Sequence, residues 1–158
     1  MTRWHNLYLD GHIQFCTATV AHWRPWLQGK AIDVLYREWD TSRLALGVKV
    51  LAYVVMPDHF HVLLWAEPTH LVRTFLQRTL AYSSREIRPG GGFWKERARV
   101  ISVYSNRSLC TKVDYIHANP VRRQLVGTAD EWRHSSFRQI ELGEVDVPFT
   151  CDTWSGIV

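Results

Sequence analysis

Apolar and polar positions alternate along this chain with two periods, and the period switches from segment to segment. In GHIQFCTATV (11–20), Ile13, Phe15, Thr17 and Thr19 alternate with Gln14, Cys16 and Ala18, which predicts a strand. From 28 to 47, Ile32, Leu35, Tyr36 and Trp39 recur at helical spacing and Gly47 supplies a stop. KVLAYVVMP reads as a strand, and the Pro57-Asp58 turn sends HFHVLLWAE back beside it as another. THLVRTFLQRTLAYSSREI (69–87) is an amphipathic helix with Thr69 as its candidate cap, ending before Pro89-Gly90-Gly91-Gly92. RVISVYS is a strand, followed by a helix that begins near Ser108 and carries LCTKVDYIHAN. No repeat or low-complexity linker divides these elements. Their order predicts an α+β, ferredoxin-like domain: an antiparallel sheet with packed helices. Residues 1–140 form this single domain, and 141–158 are expected to be an acidic C-terminal tail.

At 158 residues, with 46% hydrophobic and 22% charged positions, the chain can bury a core of its own. Its three cysteines, Cys16, Cys110 and Cys151, form no Cys-x-x-Cys pair and fit a reducing compartment. The N-terminus lacks the apolar core of a signal peptide, and no segment approaches the roughly 18 apolar residues of a membrane span. A cytoplasmic protein with no membrane partner is therefore expected. Charge changes the picture more. The net +4 hides a basic block at 70–140, with thirteen Lys/Arg against five Asp/Glu, and a tail with four acids and no base. In that block Arg85, Arg88, Lys95, Arg97, Arg99, Arg107, Lys112, Arg122 and Arg123 are interleaved with Tyr82, Phe93, Trp94, Tyr104 and Tyr115. Cations that neutralise phosphates beside rings that stack bases suit single-stranded nucleic acid, although a solvated basic surface around core aromatics gives the same pattern. The glycine run is a loop and not a phosphate cradle, because it lacks the lysine of a P-loop.

Candidate chemistry gathers in two short stretches. In a strand, His59 and His61 present parallel imidazoles on one face while Phe60 and Val62 turn away. Such a pair is half of a divalent metal site, or it is packing; His-x-His alone does not choose. On the last helix, Leu109, Val113 and Ile116 form the apolar stripe, and Lys112, Tyr115 and Asn119 share the adjacent face. Pro120 disfavours helical geometry at Asn119, so that residue is expected at a frayed end.

Taken together and in order, MPDHFHVLLW, FWKERARVISV, YIHANPVRRQLV and EWRHSSF resemble the REP-associated tyrosine transposases, relatives of the insertion-sequence single-tyrosine transposases. The likeness spans roughly Ile13 to Phe137. It implies a metal-dependent endonuclease that cleaves and rejoins single-stranded DNA next to hairpin elements. Tyr115 would be the nucleophile, forming a 5'-phosphotyrosine link. His59, His61 and Asn119 would hold magnesium or manganese, with Lys112, Arg122, Arg123, Arg97, Arg99 and Lys95 on the DNA. A monomer or a homodimer is compatible, with the tyrosine acting in cis or in trans. The family commonly has Asn where Asp58 stands and Ala-Gly where Arg123 and Gln124 stand; neither departure touches the inferred catalytic set, though both bear on DNA preference. A non-catalytic nucleic-acid-binding module on the same fold is the alternative. A small-molecule metallohydrolase would leave the basic block unexplained.

Overall fold

The computed structural model describes residue 6 and residues 8–157. Its elements run β1 (Ile13–Thr19), α1 (Lys30–Leu46), β2 (Lys49–Val55), β3 (His59–Trp65), α2 (His70–Ile87), β4 (Arg99–Val103), α3 (Asn106–Arg122) and a short α4 (Phe137–Leu142). The strands form one antiparallel sheet in the order β2-β3-β1-β4, the ferredoxin-like arrangement expected from the order of elements.

The period-2 pattern decides what each face of the sheet buries. Cys16, Ala18, Val20, Tyr53, Phe60, Val62 and Leu64 point into a core shared with α1 and α2, where Trp39 packs edge-on against Phe60 with centroids 5.1 Å apart. Ile13, Phe15, Leu63 and Val103 point the other way, onto Leu109 and Ile116 of α3. In β2 the alternation breaks: Leu51 and Ala52 both face α3, because the register with β3 slips between Val50 and Ala52. One extra residue in a bulge lets two neighbouring side chains share a face. The helix stripes are those expected, with Ile32, Leu35, Tyr36 and Trp39 buried on α1 and Gly47 closing it in the left-handed region at φ 67°.

Three expectations are corrected. Helix α3 starts at Asn106, capped by Ser105, whose side chain accepts from the Ser108 amide, rather than near Ser108. It also runs through Pro120 to Arg122, so Asn119 is helical and buried instead of frayed. Arg123, Gln124 and Leu125 close the end through bonds to the Asn119, Val121 and Pro120 carbonyls, with Gln124 in the left-handed region at φ 57°. The acidic segment after 140 is not a detached tail. Glu141 lies in α4, Phe149 and Cys151 are buried in the α1/α2 core, the Tyr53 hydroxyl donates to the Phe149 carbonyl at 2.6 Å, and Asp152 binds the Val50 amide and Arg43. Asp152 also lies 3.9 Å from Lys49 of β2, while Glu144 pairs with Arg138 of the basic block. Cys16 and Cys151 are buried, Cys110 is exposed, and all three are free thiols. Among the described residues no helix is long and apolar enough to cross a membrane.

Candidate active site

The α3 face of the sheet carries a cleft of about 340 Å³ lined by Phe15, Thr17, His61, Arg99, Ile101, Lys112 and Tyr115. Antiparallel pairing sets His61 opposite Thr17 and His59 opposite Thr19, so both imidazoles project from β3 toward α3. Tyr115 comes from the helix above. Its ring meets His61 edge-on at 5.2 Å between centroids and Phe15 at 6.0 Å, and His61 stacks on Phe15 at 5.3 Å. The tyrosine therefore reaches the histidine pair within one chain. The Lys112 ammonium lies 4.5 Å from the Phe15 ring centroid, and the Arg122 guanidinium 5.5 Å from that of Tyr115.

Both imidazoles are buried, 4.8 Å apart, and each is anchored through Nδ1. His59 Nδ1 lies 2.6 Å from Asp58 Oδ1, and a carboxylate oxygen can only accept, so this nitrogen carries the proton and Nε2 keeps its lone pair. His61 Nδ1 lies 2.7 Å from Thr17 Oγ1, a hydroxyl able to accept in the same way. Burial lowers the His59 pKa; Asp58 and the Asn119 side chain, as acceptors of its protons, oppose the shift, while Arg123 adds to it. Burial, then His59 and Lys112, push His61 down to about 3. Neutral imidazoles with Nδ1 tied back and Nε2 available are the form in which histidines bind metal, and Asn119 beside His59 adds an amide oxygen. Among the described residues no group of three His, Cys, Asp or Glu side chains is arranged to hold a metal ion.

Asp58 is the residue that sequence reasoning undervalued. Its Oδ2 accepts from Arg123 at 2.9 Å while Oδ1 holds His59, so the two departures from the family pattern meet each other and reach His59. Adjacency of Asp58 to His59 was visible; its pairing with Arg123 across the fold was not. Of the other basic residues, Arg99, Lys112 and Arg122 are gathered at the cleft. Lys95 stands over Trp23, whose own ring meets His59 edge-on at 6.2 Å. Arg97 is exposed in the bend before β4, where its charge is felt at Tyr8. Phe93 and Trp94 of the basic block are buried in the core and offer no surface to a base.

The family model described as "Transposase IS200 like" matches residues 12–119. This chain belongs to that transposase family. A Haemophilus influenzae protein named as a REP-associated tyrosine transposase is 24% identical over 111 residues, a match spanning 61% of this chain and only 63% of the relative. A solved REP-associated tyrosine transposase bound to a REP hairpin shares the fold with a TM-score of 0.74 at 20% identity, covering 96% of this chain and 93% of that one. A Deinococcus radiodurans protein described as a transposase superposes at 0.51 and 21% identity, over 73% of this chain and 95% of its own. The resemblance to the REP-associated members, drawn above from four motifs, is borne out.

Two buried histidines, His61 in the cleft and His117 on α3, are expected to make this transposase-family domain acid-sensitive. His61 and His117 titrate near 3 and 4, the latter through burial opposed by Asp114, against an ordinary value of 6.5. Between those values and 6.5 the unfolded chain binds protons that the folded one refuses. Stability is thus complete above about pH 6.5 and falls as pH drops, each group costing up to about 1.4 kcal/mol per pH unit. Urea midpoints measured from pH 7 to 4.5 are expected to fall steadily, with a shallower slope in His117→Gln; a flat profile would contradict the burial of these rings as neutral bases.

Proposed function

We propose that the protein is a metal-dependent single-strand DNA endonuclease and strand transferase acting beside hairpins, with Tyr115 as nucleophile and His59, His61 and Asn119 as metal ligands. The observation that carries this reading is the convergence, within one chain, of a phenol on α3 with two Nδ1-anchored neutral imidazoles on β3. The hairpin substrate is suggested by the solved relative, which is bound to one. A divalent cation held by these residues would supply Lewis acidity at the scissile phosphate, and imidazole donors favour manganese over magnesium in affinity.

Tyr115 attacks phosphorus through Oη, forming the tyrosyl oxygen–phosphorus bond as the P–O3' bond breaks. The phenol loses its proton, the departing 3' oxygen gains one, and the 5'-phosphate stays on the protein. A phenol is a weak nucleophile near neutral pH, so placement matters, and the Phe15 and His61 rings fix the plane from which Tyr115 approaches. Lys112 and Arg122 offset the negative charge that builds on the phosphate. Because the link conserves the phosphodiester, a 3'-hydroxyl from another strand can reverse the step and join DNA.

Labelled hairpins with single-stranded flanks, incubated with manganese or magnesium and resolved on a denaturing protein gel, test the reading. A covalent band is expected with metal, lost with EDTA and restored by excess manganese. No band across a broad set of hairpins, with binding intact, would make this a binding module instead.

A further inference from the structure

Outside the cleft, one surface is built in a way that the proposed chemistry does not use. After β1 the chain makes a 3-10 turn at Ala21–Trp23, and residues 22–26 are all exposed. Both His22 and Trp23 sit in the left-handed region, at φ 55° and 56°, a conformation costly for residues with a Cβ and sustained only where surroundings enforce it. Here they do. Val20 donates to the Asp58 carbonyl, Leu27 to that of Pro57, Ala21 to that of Phe93, and the Lys95 amide to the Thr19 carbonyl, each at 2.8–2.9 Å. The turn is thereby pinned to the segment that leads into His59.

What this strained, pinned turn presents is aromatic surface. Trp23 is 54% exposed and Trp26 is 38% exposed, although indole rings normally find burial. Each has a cation on it: Lys95 Nζ lies 5.9 Å from the Trp23 centroid and the Arg88 guanidinium 4.7 Å from that of Trp26. Trp23 also meets the His59 ring edge-on. Flat rings flanked by exposed cations fit a ligand with π faces and a polyanionic backbone, and a preset geometry spares the ordering cost of a loose loop.

We infer that Trp23 and Trp26, with Lys95 and Arg88, form a stacking platform for unpaired bases of the single-stranded flank that runs from the scissile phosphate past His59. This inference rests on the reading of the cleft as a DNA site, but it concerns binding and is measured without cleavage. In a Tyr115→Phe background with no divalent metal, fluorescence anisotropy would give affinities for three probes: a hairpin with single-stranded flanks, the same hairpin with abasic flanks, and a blunt hairpin. Trp23→Gly removes the ring and suits the left-handed backbone, and its melting curve checks folding. The variant is expected to bind the base-bearing flank about tenfold more weakly, the scale of one stacked base, and to match its parent on the abasic and blunt probes. Equal affinity for the base-bearing flank, an equal loss on all three probes, or no binding of the flanked hairpin by either protein would overturn the platform. An absent covalent product in the wild type with this pattern intact would instead fault the nuclease reading alone.

Discussion

Tyr115→Phe is expected to abolish the covalent protein–DNA product, a loss of at least about a thousandfold in strand cleavage, while leaving hairpin affinity within about twofold. The contacts described for Tyr115 are made by its ring, against His61, Phe15 and the Arg122 guanidinium, and phenylalanine keeps all three. Only the hydroxyl goes, so stability should change by less than about 1 kcal/mol, as for a substitution that creates neither a cavity nor a buried unpaired group. The measurement is paired: cleavage and covalent adduct on a denaturing gel, affinity by anisotropy. Metal-dependent cleavage that persists in the phenylalanine variant would mean that water or another hydroxyl attacks, and the phosphotyrosine mechanism would fail.

The second large effect concerns the imidazoles. His59→Ala and His61→Ala should each reduce cleavage by at least about a hundredfold, with manganese affinity, read by calorimetry on the DNA-free protein, falling in parallel. Asp58 separates orientation from ligation. Asp58→Ala frees the His59 Nδ1–H, and loss of such an outer partner typically weakens metal binding about 10–100-fold. Asp58→Asn keeps an oxygen acceptor for that proton and gives up the charge pairing with the half-exposed Arg123, worth little in water, so manganese affinity should stay within about threefold of the parent. Equal losses for Asn and Ala would show that the carboxylate charge, and not the hydrogen bond, is what His59 requires.

Local patterning made most of the fold legible. Period-2 alternation placed Phe60 and Val62 opposite His59 and His61, and helical spacing found the buried stripe of α1, because each follows from backbone geometry alone. The Lys112, Tyr115 and Asn119 face of α3 was legible for the same reason. What escaped depends on partners distant in sequence. Burial of Asn119 holds α3 together past Pro120 against a local preference for extended geometry. The bulge at Leu51 is a matter of register between two strands, which neither strand reveals by itself. Composition also misled: Phe93 and Trp94 in the basic block went into the core, while Trp23 and Trp26, outside it, became the exposed rings. The acids after 140 suggested a tail because all the charges of that segment are negative, yet its Phe149 and Cys151 are buried in the core.

The two outermost strands of the sheet show why that inward course matters. Along the open side of β2, Val50 exchanges bonds with Asp152, Tyr53 with Ser136, and Val55 takes the His134 carbonyl and gives its own to the Trp132 indole. On the far side, the Asn6 amide imitates a peptide unit, donating to the Ala98 carbonyl and accepting from the Val100 amide. Unpaired strand margins are templates on which another chain can add, and here each is plugged by irregular backbone or a single side chain that cannot propagate a ladder. A shortened protein ending at residue 140, which by charge alone would look like a harmless trim, loses the Asp152 plug and lays the Val50 end of β2 bare; self-association through that margin, and not loss of a solubilising appendage, is how such a truncation would fail.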